Sequence, residues 1–368
     1  MKYYIIAGEA SGDLHASNLI KELKKRDTTA DFRCWGGDLM QKQGAVLAKH
    51  YRDLAFMGFV EVLLNIKIIL RNLAFCKKDV LEYKPDVLIL VDYPGFNLKI
   101  ATWAKINGIK VFYYISPQIW AWKQNRVHKI KRYVDKMFVI LPFEKDFYAR
   151  FDVDVDFVGH PLLDAIENRA VSSFEDFCKQ NNLPQKPIIA LLPGSRKQEI
   201  HTMLPIMLSI VNYFPDYQFV VAGAPSQDAE FYQNYLSKQV SLLENKTYAL
   251  LEHSTAALVT SGTATLETAL FKVPQIVCYK GSFISYQIAK AVIKVNYISL
   301  VNLIADKELV KELIQKELTT TNLKQELTKL ITPTYRNQIF DEYQQLQQKL
   351  GGVGASERTA KFMLEYLK

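Results

Sequence analysis

The chain has 368 residues, 49% hydrophobic and 23% charged, an ordinary globular composition but too long for one ordinary core. Forty-six Lys and Arg against 38 Asp and Glu give a formal charge of +8, which favours anionic partners such as phosphates, acidic lipid surfaces or nucleic acid without choosing among them. Cys34, Cys76, Cys178 and Cys278 form no CxxC pair, which argues against a disulfide framework or a zinc site and for a reducing cytoplasm; no signal peptide and no apolar run of roughly 18 residues is visible, so the sequence reads as soluble or at most peripheral.

Short β-rich runs alternate with longer helical patterns. Strands are expected at 3–7, 32–35, 86–91, 110–115, 136–140 and 155–158, then at 187–192, 218–222, 247–250, 256–259, 275–278 and 297–300. Several are apolar throughout, as parallel strands covered on both faces require. The fold class is therefore α/β, with two Rossmann-like domains. The boundary is expected near 159–164, giving domains 1–163 and 164–336. A helical tail, 337–368, is broken by Gly351-Gly352-Val353-Gly354.

The first strand runs into "AGEASGD", residues 7–13, and then a helical stretch. Strand, glycine turn and helix is a phosphate-cradling form. Gly8 and Gly12 stand four apart, however, unlike the closer glycine pair of a dinucleotide fingerprint. "MGFVEVLLNIKIILRN", 57–72, is apolar with Glu61, Lys67 and Arg71; it reads either as a buried helix or as an interfacial one. "VDYPGFN" places Asp92 just past an apolar strand, where open α/β sheets bind ligands. It reads as a general base or, more simply, as a cap of the following turn.

"SPQIWAWKQNRVHKIKR", 116–132, interleaves aromatics and cations. Nucleic acid, a sugar phosphate, or a solvated helix face over core tryptophans all fit. "DVDVD", 152–156, suits a strand entry better than a metal cluster, and His160 in "GHP" reads as structural. "PGSRKQEI", 193–200, ends a buried strand and opens a helix, with Arg196 as a planar donor fork. It suits a phosphate, against a plain βα turn capped by Ser195. "SGTATLE", 261–267, repeats the form with small residues and Glu267 one turn on, against a helix start capped by Thr263. Two such turns in one sheet argue for a nucleotide diphosphate site in the second domain.

Together with "LPFEKDFY", "VGHPL" and "YISLVNLIADKELVKELIQ", these stretches resemble, in order over roughly residues 5–315, the lipid-A-disaccharide synthases, inverting glycosyltransferases of the two-domain GT-B type (glycosyltransferase family 19). The resemblance implies two Rossmann-like domains facing a cleft and a tail returning to the first domain. It implies transfer of a sugar from UDP-2,3-diacylglucosamine to 2,3-diacylglucosamine 1-phosphate, giving a β-1,6-linked disaccharide 1-phosphate and UDP, with no metal or cofactor. By carry-over Asp92 is the base on the acceptor 6-hydroxyl. Arg196, with the amides around Gly194 and Ser195, stabilises the departing UDP, and Glu9 lies at the catalytic centre. Ser261, Gly262 and Thr263 line the diphosphate, Glu267 meets the ribose, and Asn302 holds a further UDP-sugar position. Ser11, Met57, Val60, Ser116, Trp120 and Arg126 are assigned to the acceptor lipid. Where the family often carries a second acidic residue after the first, Gly95 stands; that weakens a two-carboxylate mechanism and leaves Asp92 as the base. The resemblance further implies peripheral association with the anionic inner face of the inner membrane and a homodimer exchanging tails. It implies no nucleic-acid partner. Its rivals are another GT-B enzyme, such as a UDP-sugar epimerase or a cell-wall precursor glycosyltransferase, and an RNA-binding protein with salt-sensitive affinity.

Overall fold

Uninterrupted apolar runs become central strands because only a sheet covered on both faces hides every residue of the run. The computed structural model describes residues 1–54, 66–167, 172–281 and 295–368, and divides into two compact units. One is Met1–Asp164 with Leu350–Lys368, the other Ala165–Lys349.

The first unit is built on strands β1 (Lys2–Ala7), β2 (Asp31–Gly36), β3 (Val46–His50), β4 (Val87–Val91), β5 (Lys110–Tyr114), β6 (Lys136–Val139) and β7 (Asp156–Phe157). Their order is β3-β2-β1-β4-β5-β6-β7, parallel throughout. Every residue of β4 is buried. The second unit carries β8 (Ile188–Leu192), β9 (Gln218–Gly223), β10 (Val240–Glu244), β11 (Ser254–Thr260), β12 (Gln275–Tyr279) and β13 (Lys311–Ile314). They run β10-β9-β8-β11-β12-β13, again all parallel. Each sheet reverses its direction of growth once, at β1/β4 and at β8/β11. The crevice outside the carboxyl ends of the strands at such a reversal is where doubly wound sheets bind ligands.

Two expected strands do not form strands. Residues 247–250 lie in helix Thr247–Glu252, which buries Leu250 and Leu251; a short apolar run does not distinguish strand from helix by its pattern. Residues 297–300 pair with no strand. The N–H groups of Ile298 and Ser299 donate to the Glu312 carboxylate, and the Ser299 side chain caps helix Leu300–Ala305. The unforeseen strands are β3, β10 and β13, all at sheet edges, where polar residues mask the pattern.

The chain re-enters the first unit at Leu350. Helix Pro333–Lys349 belongs to the second unit, so the returning tail is shorter than the 337–368 expected. His160 N–H donates to Leu350 O at 3.0 Å. The Asp164 carboxylate accepts from the N–H groups of Gly354, Ala355 and Ser356 at 2.6, 3.2 and 2.9 Å, capping helix Ala355–Leu367. Arg358 folds back over the glycine break, donating to Val158, Gly351, Gly352 and Val353 carbonyls.

Candidate active site

At the β1/β4 reversal, β1 leads into Gly8 and Glu9, and β4 into Asp92 and Tyr93. Gly8 is glycine because a Cβ there would lie 2.3 Å from the Tyr93 ring, which also stacks on Phe96. The Asp13 carboxylate accepts from the N–H groups of Gly37, Leu39 and Met40. The "AGEASGD" turn is therefore shaped by packing at its ends and leaves Glu9 half-buried and Ser11 exposed.

Asp92 (φ +44°) and Tyr93 (φ +48°) are both left-handed, and Ile115, one residue past β5, has φ +63°. Such conformations cost about 1–3 kcal/mol for a non-glycine residue, least favourably for a β-branched one, and gather at functional sites. The Asp92 carboxyl is pushed up to about 7, first by burial and then by the negative charge of Glu9, against a hydrogen bond from the Tyr93 N–H. A second carboxylate thus does act on Asp92. It comes from another strand end rather than from the position Gly95 occupies.

Beside this reversal the loop after β5 is supported from below. Glu144 is buried and accepts from Ile140 and Leu141 N–H. Burial pushes its carboxyl up to about 7, with Ser116 and Trp120 among the groups that oppose the rise. Ser116 and Trp120, expected at the acceptor lipid, are themselves buried. The Ser116 hydroxyl is engaged with Tyr148 Oη at 2.7 Å and Pro117 O, and the Trp120 ring packs edge-on against Phe143. Both shape the loop and present no polar group outward. Arg126 is half-buried, its guanidinium 5.9 Å from the exposed Trp122 ring. Met57 and Val60 lie outside the described residues.

The second reversal is built differently. β8 leads into Gly194, whose φ of +105° suits glycine and whose absent Cβ would meet a Glu199 carboxylate oxygen at 2.8 Å. Glu199 accepts from Ser195 N–H at 3.4 Å and pairs with Arg196 Nη1 at 3.2 Å. Ser226 Oγ donates to Ser195 O. Arg196 precedes helix Lys197–Leu208, and its side chain is 61% exposed. After β11, Gly262 has open space where a side chain would stand, and with Thr263 it is exposed. The Ser261 hydroxyl is turned onto Ile298 O at 2.8 Å and keeps only acceptor capacity. Glu267, half-buried, accepts from Tyr248 Oη at 3.0 Å. Burial raises its carboxyl.

Asn302 turns its side chain into the fold. It is fully buried, its Oδ1 accepting from Leu309 and Val310 N–H and its Nδ2 donating to Val310 O and Glu312. All four hydrogen-bonding positions are occupied within the fold, so the side-chain amide has none left for the expected UDP-sugar contact. Sequence reasoning passed over Glu144, Glu199 and Tyr248. Only Glu199, in the first turn after "PGSR", carried a local signal. Among the described residues no group of three His, Cys, Asp or Glu is placed to hold a metal ion, and no helix is long and apolar enough to cross a membrane.

Residues 3–365 match the family model described as Lipid-A-disaccharide synthetase. The lipid-A-disaccharide synthase of Syntrophus aciditrophicus (strain SB) is 41% identical, covering 99% of this chain and 97% of its own length. That of Geobacter metallireducens (strain ATCC 53774 / DSM 7210 / GS-15) is 38% identical over 99% and 96%. Among solved structures, the UDP-GlcNAc 2-epimerase of Neisseria meningitidis bound to UDP-GlcNAc has a TM-score of 0.70 at 17% identity, covering 99% of this chain and 100% of its own. The glycotransferase of kitacinnamycin has a TM-score of 0.68 at 14% identity, covering 100% and 99%. Likeness at those identities is likeness of fold alone.

Proposed function

The chain belongs to the lipid-A-disaccharide synthetase family, and from that premise we propose how its two strand reversals divide the work of this glycosyltransferase of lipid A biosynthesis. It joins UDP-2,3-diacylglucosamine to 2,3-diacylglucosamine 1-phosphate. Asp92 takes the proton of the acceptor 6-hydroxyl as that oxygen attacks the anomeric carbon. The bond from that carbon to the UDP oxygen breaks on the opposite face, inverting the centre and releasing UDP. The observation that carries this reading is Asp92 itself: a half-buried carboxyl at a strand reversal, raised to about 7, is ionised enough at neutral pH to act and basic enough to accept a proton.

Arg196, with the amides at Gly194 and Ser195, takes the charge that develops on the departing diphosphate. Gly262 and Thr263 let backbone approach the phosphates closely, and Glu267, steadied by Tyr248, accepts from the ribose hydroxyls. Glu9 tunes Asp92 through its charge, and exposed Ser11 stands beside it at the acceptor. On helix Ile66–Tyr83, exposed Leu70 and Phe75 stand with exposed Lys67 and Arg71, which supports peripheral contact with an anionic membrane surface. A homodimer is proposed on the family's tail exchange; sedimentation as a single 42 kDa species would overturn it. The epimerase reading rests on fold alone.

The test supplies purified protein with both lipids and follows UDP and disaccharide. Folded wild type that makes no disaccharide sinks the reading. Asp92→Asn should cut turnover by roughly 1,000-fold, within the range for loss of a general base, with UDP affinity held within about twofold. Comparable activity removes Asp92 as the base.

A further inference from the structure

The backbone that carries Asp92 is strained twice in succession, at Asp92 and Tyr93, and something must hold it there. Its own peptide groups show what does. Asp92 N–H donates to Tyr114 O at 3.2 Å. Asp92 O accepts from Tyr113 Oη at 2.6 Å and from Asn97 Nδ2 at 2.8 Å. The same Asn97 amide lies 3.2 Å from Val91 O and 3.4 Å from Ile6 O, so one NH₂ group gathers carbonyls near the carboxyl ends of β1 and β4. Both side chains are completely buried. Asn97 Oδ1 is buried with no hydrogen-bond partner. An unsatisfied buried acceptor is a cost, so the residue serves through its donor end.

We propose that Asn97 and Tyr113 are positioning residues that clamp the Asp92 peptide in its left-handed conformation and so aim the base at the acceptor hydroxyl. Neither touches substrate; both act through the main chain of Asp92. A left-handed pair without these bonds relaxes toward the ordinary extended or helical regions, which swings the carboxylate away from its half-buried position. The inference rests on Asp92 being the base. An ångström-scale displacement of a catalytic group is enough to cost about 100-fold in rate.

The test compares Tyr113→Phe, which deletes one hydroxyl without altering the ring, with Asn97→Ser, which shortens the donor. Each is assayed for kcat and KM on both substrates, for UDP affinity, for melting temperature, and for the acid limb of the pH–rate profile. Tyr113→Phe should lower kcat roughly 30- to 100-fold, leave KM and UDP affinity within about twofold, and move the acid limb downward as the carboxyl leaves its half-buried place. Asn97→Ser should do the same and more, because it loosens two strand ends at once. A purely structural role would lower melting temperature while kcat per folded molecule and the acid limb stayed at wild-type values; that result overturns the clamp. If Tyr113→Phe does not fold, Asn97→Ser decides by the same readouts. If Asp92→Asn is itself active, the base assignment fails. If Asp92→Asn is dead and both clamp variants are wild type in kcat and pH profile, the clamp alone fails.

Discussion

The two strand reversals share one topology and carry opposite chemistry. At β1/β4 the backbone is strained, the side chains are packed, and the acidic pair Glu9 and Asp92 sits in partly buried surroundings that raise Asp92 to about 7. At β8/β11 small residues leave open space at Gly262, and Arg196 lies exposed with Glu199 on its guanidinium. A base needs a poor solvent around it to keep its proton affinity near working pH. A group that greets and releases a diphosphate needs accessible donors and no buried charge of its own. The doubly wound sheet supplies the place in both cases, and a few residues past each strand end decide what the place does.

The contrast breaks most directly at Arg196. Arg196→Ala should lower kcat/KM for the UDP-sugar roughly 100-fold, in line with losing one donor to a developing anion, and should also weaken UDP binding measured by titration calorimetry. Unchanged affinity and rate would remove the second reversal as the anion site. The acid limb of the rate profile should persist in this variant, since Asp92 keeps its surroundings.

The first reversal is probed by pH. Rate should fall about tenfold per pH unit below about 7, as Asp92 protonates; a rate flat from pH 5 to 8 would place the base elsewhere. The same shift has a stability consequence of opposite sense. The folded protein binds this proton more tightly than the unfolded chain, so stability is lost as pH rises from near 4 through about 7. Asp92→Asn should therefore melt above wild type at pH 8, with the gap closing near pH 4.

The smallest effect on turnover is expected at Asn302, whose side chain is bonded wholly within the fold. Asn302→Ala should cost about 2–3 kcal/mol of stability, by leaving buried backbone groups unpaired, while KM for the UDP-sugar stays within about twofold. A raised KM at unchanged melting temperature would return Asn302 to the binding site.

These residues also show which parts of the molecule were legible beforehand. Long apolar strands such as Val87–Val91 and Ile188–Leu192 announced themselves, because double-sided burial leaves no polar alternation. The edge strand Lys311–Ile314 did not, since its pattern is half charged. "PGSR" and "SGTATLE" read either as anion turns or as capped helix starts, and Asn302, carried over from the family, showed its four hydrogen bonds within the fold only in the structure. Asp92 read by its own neighbours was a turn cap before it was a base. Composition and order of motifs determined the class, the two parallel sheets and the family, because burial and turn chemistry are local consequences of residue type. Why Gly8 bears no side chain and which groups bond the Asp92 peptide were decided only by tertiary structure. Tyr93, Asn97 and Tyr113 are about 85 to 105 residues away from Gly8 in the chain, and only the folding of β1 beside β4 and β5 lets their contacts set the backbone and the charge of the site.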